Sequence, residues 1–349
     1  MTRVTRSVSM RSVALLGLLA LTAAFAAAGQ GSATQTGCTR TISRADEVHA
    51  ALAAAAPGDT LCFSGADLAG AALMMTRSGT PDAPIRLLSD GHTKVHEVQI
   101  IADYVLIQGF TIAGGGELLL SGTGIIAQKN TVHDTQRSGI VCASCIDSTI
   151  DSNTVHHAAA TGISISGQRI TVRANVVSST VADVEGSAIG VRFFGTGHQV
   201  LSNTIRDISD NQNRTPPQVA CFQTFDTGRP PTFDVVILGN ACENVDGHCM
   251  IATGDESGNG DAPRDARSIT FTGNTCAVNG DHAVGLRRWP HADMHKNKLS
   301  GPNLKRGIAI SDGSTGCTVK ANTTPANVPA VEIDNSSRPG FRDQDKNPF

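Results

Sequence analysis

The sequence predicts an all-β fold, a solenoid of parallel coils closed at its N-terminal end by one helix. Three observations carry this prediction. Short runs such as Ile163/Ile165 and Ile170/Val172 alternate apolar with small polar residues, the pattern of a strand with one buried face. Asn130, Asn153, Asn175, Asn203, Asn240, Asn274, Asn297 and Asn322 each follow such a run, at spacings of 23, 22, 28, 37, 34, 23 and 25 residues. A period of this size marks a solenoid. The residue two after most of these Asn is apolar, from Val132 and Val155 to Cys276 and Leu299, so one phrase recurs in one phase. In stacked coils equivalent positions lie about 4.8 Å apart. A buried Asn can then bond its own turn and the next, satisfying groups that would otherwise be buried unpaired.

Residues 1–28 read as a secretory signal. Arg3, Arg6 and Arg11 precede an apolar run that ends Ala26-Ala27-Ala28. The expected organisation is this signal, a leader over 29–40, the solenoid over 41–333 and a loose tail over 334–349. The mature protein is expected outside the cell as a monomer, with no membrane contact after cleavage. Losing three Arg takes the formal net charge from −3 to −6, which disfavours nucleic acid as a partner. Aromatic residues make up only 4%, with Tyr104 and Trp289 single of their kinds, which suits an aliphatic stack.

A helix is expected over 43–56, capped by Ser43, with Asp46 and Glu47 in its first turn and Val48, Leu52 and Ala55 on one face. Pro57-Gly58 stops it. The strand phrases Pro84-Ile85-Arg86-Leu87-Leu88 and Tyr104-Val105-Leu106-Ile107-Gln108-Gly109-Phe110 follow. With the Asn repeat, these residues resemble the right-handed parallel β-helix of the pectin-lyase-like superfold, over roughly 41–333. The N-terminal part resembles chondroitinase B and alginate-lyase-type polysaccharide lyases. That resemblance implies three parallel sheets and a helix covering the open end. A cover is physically needed, because a bare strand edge invites aggregation.

Nine Cys in an exported chain suggest disulfides. Cys38 and Cys62 could staple the cap. Cys242 and Cys276 share one repeat position, and Cys221 and Cys249 another, so pairing along each row is expected; stacked free thiols are the alternative. Cys142 and Cys145 flank a turn, and Cys317 sits at a core-like position.

Coils over 124–202 are regular and bare; His133 and His156 there read as solvated turn histidines. Insertions cluster at 207–218, 226–232, 254–267 and 287–293. Loops flanking one strand row would wall a groove, and repeat proteins put function where repeats carry insertions. Asp226, His248, Asp255, Glu256, His282, Arg287 and Arg288 converge there. Arg192 and Gln223 face outward on the coils before.

Three readings of the groove stay open. In β-elimination or C5 epimerisation of a uronic-acid polymer, Arg287 or Arg288 neutralises the substrate carboxylate and His248 or His282 removes the C5 proton. The lyases it resembles use a Lys/Arg pair on this face, and no Lys counterpart is found here. In glycoside hydrolysis, Asp226 pairs with Asp255 or Glu256; Asp246-Gly247-His248 and Leu286-Arg287-Arg288 resemble fragments of the β-helix polygalacturonase motifs. In the third reading the groove only binds polysaccharide. The expected partner in each case is a polysaccharide, anionic in the first. Trp289 either stacks on a sugar ring or packs beneath its loop. No cofactor is required, although Asp255, Ser257, Asn259 and Asp261 have calcium-loop spacing.

Overall fold

The computed structural model describes residues 37–65, 68–182, 186–210, 218–226, 229–255 and 266–346. The expected signal, and the leader up to residue 36, lie outside the described residues. From Arg40 onward the chain winds as a parallel solenoid with three strands to a full coil. One sheet has 13 strands, from Arg40–Ile42 to Arg342–Asp343. A second has nine, from Lys94–Val95 to Lys298–Ser300. A third has 11, from Ala72–Met75 to Val331–Ile333. Each strand pairs in parallel with its equivalents one coil before and after, and one apolar row feeds the core. In the 13-stranded sheet Ile150, Val172, Val200 and Ile237 stand in register, all fully buried.

The eight Asn form one continuous ladder. Asn153 Oδ1 accepts from the backbone N–H of Asn130 at 2.9 Å and from its Nδ2 at 3.0 Å, while Asn153 Nδ2 donates to the Ala127 carbonyl at 2.9 Å. The same bonds recur through Asn175, Asn203, Asn240, Asn274 and Asn297 to Asn322. The residue before each Asn explains why the ladder is needed. Lys129, Ser152, Ala174, Ser202, Lys296 and Ala321 all take positive φ, between 52° and 55°, and Gly239 and Gly273 do so without a Cβ. A left-handed residue costs on the order of 1 kcal/mol, and the buried amide bonds offset it.

A second corner joins the nine-stranded sheet to the 11-stranded one. Gly139, Gly162 and Gly190 occupy it. A Cβ there would lie 2.3 Å, 2.3 Å and 2.4 Å from methyl groups of Val155, Val177 and Ile205 in the following coil. In the next two coils Cys221 and Cys249 take the Gly position, and Cys242 and Cys276 the aliphatic one. The disulfides are accordingly Cys221–Cys242 and Cys249–Cys276, with Cα separations of 6.1 Å and 5.8 Å. This corrects the expected pairing along rows. Side chains in one row run parallel and all point inward; those across the corner point at each other. Cys38–Cys62 pairs as expected, Cys142 bonds Cys145, and Cys317 is free, its thiol pushed up to about 11 by burial.

The helix runs Ala45–Ala53 and buries Val48, Ala51 and Leu52 against the first coil. Its cap differs from expectation. Arg44 holds the N-cap position, its side chain pairing with Asp46 rather than capping a backbone N–H, and the Glu47 carboxylate reaches back to the Ser43 N–H at 3.3 Å. The tail is also more ordered than expected. Arg342–Asp343 extends the 13-stranded sheet, and Ser337 is fully buried beneath it. Among the described residues no helix is long and apolar enough to cross a membrane.

Candidate functional site

Along His282–Arg287, Val284 and Leu286 point into the core while His282, Gly285 and Arg287 face outward. Parallel register stacks these into three outward rows on the 11-stranded sheet. One row holds His248, His282 and Arg306; the middle row Ile251, Gly285 and Ala309; the third Thr253, Arg287 and Ser311. The middle row shrinks at Gly285 and Ala309, so the surface drops between its neighbours. The result is a groove of about 390 Å³ whose far side is formed by Glu332 and Asp334. Gly285 also makes room for the imidazole: a Cβ there would sit 2.8 Å from His282 Nε2. The ring therefore lies across the floor.

Both imidazoles are anchored through Nδ1. His282 Nδ1 lies 2.6 Å from Asp281 Oδ1, and His248 Nδ1 lies 2.8 Å from the His282 carbonyl, to which it donates. The rings stack at 4.1 Å. With Nδ1 carrying the proton, each neutral ring leaves Nε2 as an acceptor. Burial holds His282 below the ordinary histidine range, and the neighbouring His248 charge adds to this against the pull of Asp281. Asp281 is held low in turn: burial opposes its charge, but the His282 hydrogen bond and the charges of His282, Arg306 and His248 prevail. Arg306 bridges Asp281 at 3.0 Å and Glu332 at 3.3 Å.

Arg287 pairs with Asp312 at 2.7 Å, both well exposed. Such a pair contributes little, so an incoming carboxylate can take the place of Asp312 at small cost. Asp334 is held down to about 2; burial disfavours its charge, but the N–H groups of Asp312 and Ser337 and the nearby serine hydroxyls outweigh it. It caps the turns beside the groove as a permanent carboxylate.

Of the residues expected from sequence, His248, His282 and Arg287 line this groove. Its centre sits further toward the C-terminus than the row through 222–225, 250–253 and 284–287. Arg288 leaves the strand at φ 51° and is half-buried outside the lining. Asp226 is buried, and its carboxylate accepts the Asp255 N–H at 2.8 Å and 3.0 Å, which ties two coils together. Trp289 is fully buried, which corrects the sugar-stacking alternative: the turn at Arg288 directs the indole into the core. Gln223 is 1% exposed and accepts from Arg192 Nε at 2.8 Å, further along the floor row.

Glu256, Ser257, Asn259 and Asp261 lie outside the described residues, so only Asp255 of the expected calcium set is placed, and it is exposed. Among the described residues no group of three or more His, Cys, Asp or Glu is placed to hold a metal. Sequence reading missed Asp281, Arg306 and Glu332. The adjacent pair Asp281-His282 was a usable signal; the other two enter only through register.

Residues 84–205 match the model described as right handed beta helix region. No curated protein matches the chain in sequence. Among solved structures, the catalytic unit of the GH87 alpha-1,3-glucanase from Streptomyces thermodiastaticus is similar with TM-score 0.58 at 13% identity, covering 90% of this chain and 68% of that one. The GH136 lacto-N-biosidase from Eubacterium ramulus gives 0.55 at 12%, covering 83% of this chain and 61% of that one. An alginate lyase from Paenibacillus sp. gives 0.48 at 15%, covering 85% and 100%. At these identities the likeness is one of fold. With three parallel sheets, an unbroken Asn ladder and the family match over 84–205, the chain has the fold of a right-handed parallel β-helix.

Proposed function

We propose that this is an extracellular carbohydrate-active β-helix protein that takes an anionic polysaccharide into the groove and removes the C5 proton of a uronate with His282. The observation that carries this is the Asp281–His282 pair, with Nε2 over Gly285 and, among the described residues, without a hydrogen-bond partner, in the groove that Arg287 also lines. A C5 proton is acidic only when the adjacent carboxylate is neutralised, and Arg287 suits that task once it exchanges Asp312 for substrate. Asp281 holds the ring in one tautomer and stabilises the imidazolium that forms. The resulting carbanion either expels the 4-linked sugar, whose O4 takes a proton from the His282 imidazolium or water, or is reprotonated by water on the opposite face, so elimination and epimerisation share the proton abstraction.

Hydrolysis is less well supported. It needs a carboxylic acid that carries a proton at working pH, whereas Asp281 and Asp334 are both held low. Four disulfides support an oxidising compartment, and a net charge of −3 argues against a general polyanion binder, so attraction has to be local to the groove.

The test is incubation with polygalacturonate, alginate, chondroitin sulfate and a neutral glucan, read by ultraviolet absorbance of the unsaturated product and by proton exchange at C5. His282→Ala should lower the rate about 10²–10⁴-fold. Arg287→Ala should cost about 2–4 kcal/mol in the transition state. Turnover unaffected by His282→Ala sinks the mechanism; reducing ends without absorbance or exchange favour hydrolysis.

A further inference from the structure

The floor row of the groove continues toward the N-terminus from Gly285 through Ile251 and Gln223 to Arg192. There the surface changes from small residues to aromatic rings and guanidinium groups. Phe194 and Phe225, in successive coils, meet edge to face with centroids 4.9 Å apart. Arg229 Cζ stands 5.1 Å from the Phe194 centroid and 6.0 Å from that of Phe225. Arg192 Cζ stands 5.8 Å from the same Phe225 ring. Two guanidinium groups therefore share one aromatic ring.

We propose that Arg192 and Arg229 form a second anion subsite, which takes a carboxylate or sulfate on the same polysaccharide chain that occupies the groove. The proposal rests on the reading of the groove as a polysaccharide site and adds that the substrate carries charge at more than one position along its length.

Charge accounting supports it. In the groove itself the two arginines are matched: Arg287 has Asp312, and Arg306 has Asp281 and Glu332. Among the described residues Arg192 and Arg229 have no acidic partner. Arg192 uses only Nε, toward Gln223 Oε1 at 2.8 Å, and Gln223 is itself fixed by donating to Gln218. Among the described residues the terminal nitrogens of Arg192 make no hydrogen bond, while its Nε is held by this chain of amides. Burial and the Arg229 charge both weaken the hold of Arg192 on its proton, the expected cost of placing like charges together. An anion between them removes that cost and gains charge-assisted bonds. The rings beneath favour cations and hold both groups in place without neutralising them.

Phe225 shares a row with Thr253 and Arg287, two coils further on, a separation of about 10 Å at ~4.8 Å per coil. This is the length scale of a disaccharide. A chain lying across the strands would place one anionic group at Arg287 and another at the Arg192/Arg229 pair.

The experiment measures affinity of the full chain for polygalacturonate, chondroitin sulfate and a neutral glucan, and for disaccharides and longer oligosaccharides of whichever polyanion binds. Arg229→Ala and Arg192→Gln are compared with wild type and Arg287→Ala, with thermal melting to confirm folding. The expected result is a loss of about ten-fold in polymer affinity for each variant, a shallower salt dependence, and loss of the gain that wild type shows from disaccharide to longer chains. Both polyanions carry carboxylates, so the anion is assigned as sulfate only if chondroitin sulfate binds more tightly than its unsulfated form, and as carboxylate otherwise. Wild-type affinity in both variants, with loss only in Arg287→Ala, overturns the second subsite and leaves the groove reading standing. Loss in both variants with none in Arg287→Ala removes the groove reading and, with it, the sharing of one chain between groove and subsite. Equal binding of the neutral glucan, or no binding of any polyanion, overturns the subsite. Arg229 is exposed, so Arg229→Ala decides the matter if Arg192→Gln fails to fold.

Discussion

The coils over 124–202 and those over 203–311 share one ladder and one core but differ at two places. At the corner between the nine- and 11-stranded sheets, the first group packs Gly against Val or Ile, and the second bonds Cys221 to Cys242 and Cys249 to Cys276. On the outer faces, both groups stack imidazoles. His133 and His156 lie parallel at 4.8 Å on the nine-stranded sheet, beside Asp134. His248 and His282 stack at 4.1 Å over a floor lowered by Gly285 and Ala309. A stacked histidine pair with a carboxylate is therefore not what distinguishes the candidate site; the missing side chains beside it are. These two corner disulfides appear in the coils whose length varies, where a covalent tie holds a corner that the regular coils hold by close packing.

The largest expected effect tests what the two groups share. Asn203 is the rung at the junction. Asn203→Ala takes the Oδ1 acceptor from the Asn175 N–H and from Asn175 Nδ2, which keeps only the Ile150 carbonyl, and takes the Nδ2 donor from the buried Val172 carbonyl. A loss of about 4 kcal/mol follows, and denaturant unfolding should split into two transitions, since neighbouring coils couple only through their interface. A single transition at the wild-type midpoint would show that the ladder is not what joins them.

The corner offers a sharper comparison. Cys221→Ser with Cys242→Ser removes the bond and buries two hydroxyls, a loss of about 3 kcal/mol or more. Cys221→Gly with Cys242→Val rebuilds the pair used in the regular coils and should recover part of that loss, read as the midpoint of urea unfolding. Equal loss in both double variants would mean that the two corners are not interchangeable.

The smallest effect is in pH. His282 and His156 are both held below the ordinary range, His282 by burial and then His248, His156 by burial and then His133 and His157. The unfolded chain takes up these protons first. The stability each group contributes is therefore complete above about pH 6.5 and is lost as pH falls through the depressed folded value. His282→Gln and His156→Gln should each flatten the acid side of the stability curve. The acid limb of wild-type turnover should lie below about pH 6.5, set by His282, and His156→Gln should leave that limb in place. A limb that moves with His156→Gln would place the chemistry on the other face.

Much of the fold was legible because its signal is repeated. Eight Asn in phase identify the turn, and the apolar residue two later identifies the next strand, so register follows without coordinates. The helix was legible by its apolar face, yet its cap was not, because Glu47 serves the Ser43 N–H where a serine cap was expected. Trp289 was undecidable from sequence, since its direction turns on a positive φ at Arg288. His248, His282 and Arg287 were found through their proximity to insertions. Arg306 and Glu332 were not, because they lie one and two coils further on, where no insertion marks them.

The sequence by itself determined the period, the inward rows and the ladder, because each depends on spacing along the chain and on the alternation of a strand. The tertiary structure decided which Cys partner was used and where the groove opened. Those choices depend on distances across a corner and between adjacent rows. Side chains 21 and 34 residues apart can be equally close along the chain axis, and only the direction of their Cβ bonds separates a bonded pair from a stacked one.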